Sequence, residues 1–420
     1  MINRPRRHRH HCAVTAALLI GMGLWTAIAH GQAAGTAAGN RNTAGNATGG
    51  TGAATAAPGK TGTGGTAAPT TTSNPAAPAA PVTVPQDAYT KPGDNRKLIV
   101  DFVKANVDNL LNDADAAAQG KSRENLVAAT LPGGVEASPE FLYEYARALN
   151  DALQPRLNPA NKPSLRQRLN AAIVAARVAY VAKNPMLQEA TVLLLKDPAE
   201  PIVLWGLKAA QPQVPKLLQI RGVGNKVPPL ITEIVPAVFA HPSGPIYEEG
   251  YAALTGNDKV IFDELTKLWQ SRLTQYQKEV PQDPSADGKP VFTLTTDAMW
   301  KNVINNPAAQ TRVMQMIADQ LSAAAQWADQ TPAGDKHDQL VALAKQCADG
   351  CWVVGGHQNQ PTLRTAADLN KRLDIKTMSP GTKIKPVVDP ILQQIMAGFK
   401  GVQQPPAVGP AAGPQGVAQP

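Results

Sequence analysis

Two stretches of this chain repeat one another. Residues 189–210 read EATVLLLKDPAEPIVLWGLKAA and residues 233–254 read EIVPAVFAHPSGPIYEEGYAAL, superposing without a gap at an offset of 44. Glu189/Glu233, Pro198/Pro242, Pro201/Pro245, Ile202/Ile246, Gly206/Gly250 and Ala209/Ala253 are identical. A period in this range belongs to paired-helix units, which cannot bury their apolar faces alone and become stable only by stacking. The identities fall where such a unit needs them. Pro201 and Pro245 suit the first turn of a second helix, where the missing amide is harmless. Gly206, Ala209, Ala210, Gly250, Ala252 and Ala253 let one helix approach the next closely.

The same rhythm extends from about residue 90 to 400. Ile99, Val103, Val107 and Leu110 recur every three or four residues, and so do Leu165, Leu169, Ile173, Ala176 and Tyr180. Phe262, Leu265, Trp269, Leu273 and Tyr276 make a third stripe, and Val313, Ile317, Leu321, Ala324 and Trp327 a fourth. Each stripe predicts an amphipathic helix. Ser164 with Gln167 forms a capping box, while Ser138-Pro139 and Asn184-Pro185 place a capping residue ahead of a first-turn proline. The strand-like pieces, 291–296 and 352–354, could form at most a two-stranded pairing.

The turn of the first unit resembles the HEAT-repeat family. Leu193-Leu194-Leu195-Lys196-Asp197-Pro198, then Ile202-Val203 and Leu207-Lys208-Ala209-Ala210, is similar to that family's turn between paired helices. There the first helix ends in leucines, Asp-Pro makes the turn, and Val and Ala seat the second helix. The second unit departs from the pattern: His241 stands where the aspartate would, and Glu248-Glu249 stand where the first unit has Leu204-Trp205. The resemblance covers residues 164–256. It implies an all-α chain of helical-hairpin (HEAT-like) repeats forming an α-solenoid over 91–280, with a C-terminal helical region with short irregular segments over 281–400. It supports architecture, and no activity.

The two ends of the chain read differently. Arg4, Arg6, Arg7 and Arg9 precede an uncharged apolar run over 13–29 that closes on Ala29-His30-Gly31, the three-part plan of a signal peptide over 1–31. The run lies at the lower limit for spanning a bilayer, so no stable transmembrane segment is expected after cleavage. Export to the periplasm or the extracellular space follows. Residues 32–86 contain no Leu, Ile, Phe, Trp or Tyr, so a disordered Ala/Gly/Thr/Pro-rich linker is expected over 32–90, and residues 401–420 repeat that composition as a tail. Without the signal the chain carries 36 basic against 32 acidic residues and no dense basic cluster, so nucleic acid is not an expected partner.

Chemistry-bearing residues are sparse. Cys347 and Cys351 are the only cysteines beyond the signal. With a helix expected to end at Gly350, an oxidising compartment favours a local disulfide between them. A redox pair needs two intervening residues and this one has three. A metal site would need ligands beyond His357, and free thiols complete the alternatives. His241, His337 and His357 fit no metal-protease pattern, and His241 reads as a polar turn residue. The glycine-rich stretch 222–226 reads as a loop. Trp205, Trp269, Trp300, Trp327 and Trp352 read as core, and Glu248, Glu249, Lys383 and Lys385 as solvent-facing. No catalytic, cofactor-binding or metal-ligating set is expected. The leading expectation is a non-enzymatic scaffold or protein-interaction module of the cell envelope, with a protein or an envelope polymer as its partner. The alternative is a secreted enzyme with its site in 282–400, where 289–296 and 351–360 break helical regularity.

Overall fold

A computed structural model of the chain describes residues 83–409, apart from 113, 134–135, 223–225, 369–372 and 374–380. The signal peptide, most of the linker, the middle of the 222–226 stretch and residues 410–420 lie outside the described residues.

Every regular element among the described residues is helical. The α-helices are α1 Pro92–Leu110, α2 Ala116–Ala128, α3 Pro139–Leu157, α4 Leu165–Ala182, α5 Gln188–Leu195, α6 Glu200–Arg221, α7 Pro229–Ala240 and α8 Gly244–Ala253. They continue as α9 Lys259–Tyr276, α10 Lys289–Leu294, α11 Asp297–Asn302, α12 Pro307–Gln330, α13 Asp335–His357, α14 Pro361–Ala367 and α15 Lys385–Gly398. Local chemistry sets several starts. The Ser164 hydroxyl accepts the Gln167 amide at 3.2 Å while the Gln167 side chain accepts the Ser164 amide at 2.7 Å, closing the expected capping box. Ser138 Oγ caps Phe141 at 3.1 Å. Asn184 caps a 3₁₀ turn, Pro185–Leu187, so α5 proper starts at Gln188.

The two repeated stretches form the same hairpin. Residues 189–210 give α5, a short break and the start of α6; residues 233–254 give α7, a short break and α8. Their close approaches are equivalent. A Cβ added at Gly206 would stand 3.1 Å from Leu194 Cβ, and one added at Gly250 would stand 2.6 Å from Val238 Cγ2. Leu194 and Val238 are themselves one repeat offset apart, so one notch and one knob recur.

Helices pack like on like. First helices contact first helices: α1 on α3, α3 on α5, α5 on α7, α7 on α9, α9 on α12 and α12 on α15. Second helices do the same: α2 on α4, α4 on α6, α6 on α8, α8 on α10 and α10 on α13, while α14, next in the chain, packs on both α13 and α15. Helix α6 is buried from two sides. Its Ile202 and Ala209 join the apolar cluster that starts at Ala88, while Val203, Leu207, Ala210 and Val214 join the cluster that continues to Val408. That second cluster crosses residue 280 without a break.

Five expectations of secondary structure and bounds change. Residues 291–296 are not a strand: 291–294 lie in α10, where Val291 and Leu294, one turn apart, are buried on one helical face. Residues 352–354 lie inside α13, and that helix does not stop at Gly350. Gly350 is a packing notch, because a Cβ there would stand 2.3 Å from Val291 Cγ1 of α10. Ordered packing begins earlier than residue 91, in a 3₁₀ turn Gln86–Tyr89 whose Tyr89 ring lies 4.6 Å from that of Phe141. Residues 401–409, assigned to the tail by composition, lie along α12.

Candidate functional site

The turns between helices build a polar seam that joins one hairpin to the next. Asp197 Oδ1 accepts the Ala199 amide at 2.8 Å, which holds the turn before α6, and Asp197 Oδ2 pairs with Arg168 Nε of α4 at 3.4 Å. His241, at the equivalent place of the next unit, lies with Nε2 3.3 Å from the Asp197 carbonyl. A ring nitrogen facing a carbonyl must donate, so the substitution that breaks the repeat pattern makes a link between repeats. Ser243 Oγ donates to Glu200 Oε1 at 2.6 Å, and Lys196 pairs with Glu233 at 3.0 Å. Glu248 and Glu249 do not simply face solvent. Glu248 pairs with Lys289 of α10 at 2.9 Å; Glu249 pairs with Lys208 of α6 at 3.5 Å and accepts from Gln211. Each exposed link contributes at most about 1 kcal/mol, so the seam fixes register more than it stabilises.

Beneath the seam lies an ionic node that sequence reading missed. Arg272 Nε donates to both carboxylate oxygens of Asp287, at 3.0 and 2.9 Å, and both side chains are buried. Arg272 also donates to Gln275 Oε1 at 3.0 Å and to the Asp283 carbonyl at 2.6 Å, with its guanidinium 4.6 Å from the Tyr247 ring centre. The Tyr276 hydroxyl donates to Asp287 Oδ2 at 2.7 Å. Burial pushes the Asp287 carboxyl up to about 6, against the opposing pull of Arg272 and Tyr276. The Tyr276 phenol is pushed well up by burial and by the neighbouring carboxylate. The partners come from α8, from α9 and from the 3₁₀ turn Ser285–Gly288, so the node clamps three elements. The two charges are 15 residues apart, and Asp287 sits in a turn without periodicity, which left no signal to read.

Cys347 and Cys351 are free thiols in the structure, on successive turns of α13, both fully buried. Burial pushes Cys351 up to about 12 and Cys347 well above its ordinary range. The thiolate is the reactive species, and burial disfavours it at both positions.

His357 is committed on both nitrogens. Nε2 faces the Thr295 carbonyl at 3.1 Å and Nδ1 faces Asp297 Oδ1 at 3.4 Å, while the ring stacks on Trp300 at 6.2 Å. Lys301 holds the Asp297 carboxyl below its ordinary value by a hydrogen bond. His337 Nδ1 lies 3.1 Å from its neighbour Asp338. Trp269 is fully buried and donates to Gln320 Oε1 at 3.1 Å; Trp300 is buried; Trp327 is half-buried and donates to the Tyr276 carbonyl at 2.7 Å. Trp205 is half-buried beneath Lys208. Trp352 departs from the core reading: it is 41% exposed, with the Arg364 guanidinium 4.3 Å from its ring centre, beside a cavity of about 350 Å³. Lys385 pairs with Asp389 at 2.7 Å, and Lys383 donates to the Asp329 carbonyl.

Among the described residues no three His, Cys, Asp or Glu side chains assemble as a metal site, and no helix is long and apolar enough to cross a membrane. The segments read as irregular, 289–296 and 351–360, are mostly helical: α10 covers 289–294 and α13 runs on to His357. Comparison with protein-family models, with curated proteins and with solved structures finds no match.

Proposed function

We propose that this chain is an exported, non-enzymatic scaffold: a HEAT-like α-solenoid that binds a protein partner on its stacked helices outside the cytoplasm. The observation that carries the reading is the like-on-like packing of successive hairpins, with the Gly206/Leu194 notch repeated at Gly250/Val238. Units that contact only their neighbours grow in one direction and present a broad surface, and that geometry suits a macromolecular partner better than a small substrate. The polar seam supports the same reading, since its links run between successive hairpins and fix how they sit. The N-terminal segment supplies the export step and the linker the reach to the partner.

The test is crosslinking of the full chain in intact cells, followed by identification of joined proteins. The expected result is a defined envelope protein joined to lysines of the helical region. A chain carrying only the signal and linker serves as control, and enrichment no greater than that control overturns the proposal. Retention on purified wall polymer, with no protein crosslink, would transfer the role to polymer binding.

A further inference from the structure

Residues 400–409, KGVQQPPAVG, run along α12 in the direction of that helix. Thr311 Oγ1 donates to the Lys400 carbonyl at 3.1 Å. Gln315 takes both main-chain groups of Gln403: its Nε2 donates to the carbonyl at 3.2 Å and its Oε1 accepts the amide at 2.6 Å. Gln326 Oε1 accepts the Val408 amide at 3.0 Å. Both glutamines are held ready by a neighbour one turn away on the same helix. Gln315 Nε2 also donates to Asp319 Oδ1 at 2.8 Å, and Gln326 Nε2 donates to Ser322 Oγ at 2.7 Å.

The spacing matches an extended chain. Positions 311, 315, 322 and 326 fall on one face of a helix with about 3.6 residues per turn. From Gln315 to Gln326 the helix rises about 16 Å at about 1.5 Å per residue. From Gln403 to Val408 an extended proline-type backbone rises about 16 Å at about 3.1 Å per residue. These four bonds all fall on the main chain of the strap and none on its side chains. Val408 is buried and Val402 half-buried, while Gln403, Gln404, Pro406 and Ala407 are exposed. Pro405 and Pro406 keep the backbone extended and bring no amide that would need a partner. A cavity of about 660 Å³ beside the strap, reached by Gln270 of α9 and by Arg312 and Met316 of α12, leaves room for side chains larger than the strap's own.

We infer that this face of α12 is a binding groove for extended, proline-containing peptide segments, occupied by the chain's own residues 400–409 and entered by such a segment of a partner that displaces them. The groove reads backbone amides at two fixed positions and accepts small apolar side chains between and beside them, so nothing ties it to this chain's sequence alone. A strap held by four main-chain bonds and two small apolar anchors can leave without disturbing the hairpins beneath it. The inference deepens the interaction reading above by naming a partner class, and it stands on the α12 contacts alone.

The test uses the full chain carrying Gln403→Pro, which removes the amide that Gln315 Oε1 accepts and frees the groove without altering it. The probe is a fluorescent synthetic peptide, KGVQQPPAVG, followed by anisotropy. Its Kd is expected to be at least ten-fold lower for the Gln403→Pro chain than for the unaltered chain. A peptide with proline in place of Gln403 should not bind. Adding Gln315→Ala to Gln403→Pro should abolish the gain while leaving the helical circular dichroism unchanged. Equal affinity for both chains, or binding that survives Gln315→Ala, overturns the inference. A failed titration leaves the scaffold reading untouched, and a failed crosslinking search leaves the groove untouched.

Discussion

The repeated notch makes a prediction in which the same substitution changes sign with position. Gly→Ala inside a helix stabilises by about 1 kcal/mol where nothing else changes, because alanine gives up less backbone freedom on folding. Gly120 in α2 has open space where its Cβ would go, so Gly120→Ala should raise stability by about that amount. Gly250 has Val238 Cγ2 only 2.6 Å from the added carbon. Valine in a helix has one strongly preferred rotamer and cannot swing that methyl away. Overpacking of this kind costs about 1–3 kcal/mol, so Gly250→Ala should come out destabilising, by up to about 2 kcal/mol after the helix gain is offset. Gly206→Ala should behave alike but less severely, since its contacts with Leu194 are longer, at 3.1 and 3.3 Å. Urea denaturation of the full chain measures all three. Val238→Ala combined with Gly250→Ala should recover part of the loss, giving a coupling of about 1 kcal/mol for residues in direct contact. The reasoning fails if Gly250→Ala stabilises as much as Gly120→Ala, or if the double variant shows the plain sum of the single effects.

Other outcomes follow from the same contacts. Ala209→Leu and Ala253→Leu, both at fully buried positions, should each destabilise by about 1–3 kcal/mol in thermal melts, and unchanged melting would exclude a tight helix interface there. Asp287 holds its proton up to about pH 6 in the fold but releases it near its ordinary value of 3.8 when unfolded. Between those values the folded state binds more protons, so this group's contribution falls as pH rises, by about 1.4 kcal/mol per pH unit. Comparing urea midpoints at pH 4.5 and 6.5, Asp287→Asn should lack that fall; equal slopes in both proteins would refute the assignment. Cys347 and Cys351 should react with an aromatic disulfide reagent only after denaturation, and a native mass two hydrogens lower before reduction would show that the pair had joined instead.

What the amino-acid sequence determined by itself is whatever depends on short-range geometry. Helix starts at Ser138 and Ser164 were legible because a capping side chain and its amide lie three residues apart. The hairpins were legible because prolines and glycines at an offset of 44 constrain the backbone wherever they stand. Tertiary structure decided the rest. The strand-like run 291–294, with β-branched Val291 and Thr293, packs as a helix whose Val291 fits the space left by Gly350, a fact about two helices and not one. His241 looks like a lost aspartate until the neighbouring turn supplies the Asp197 carbonyl. Arg272 and Asp287 meet only once α9 and the turn before α10 are packed together. Residues 401–409 are too poor in apolar side chains to build a core, yet they can be seated on one that α12 already provides. Local rules act through a few bonds, whereas pairing, burial and displacement depend on which surfaces the whole fold brings into contact.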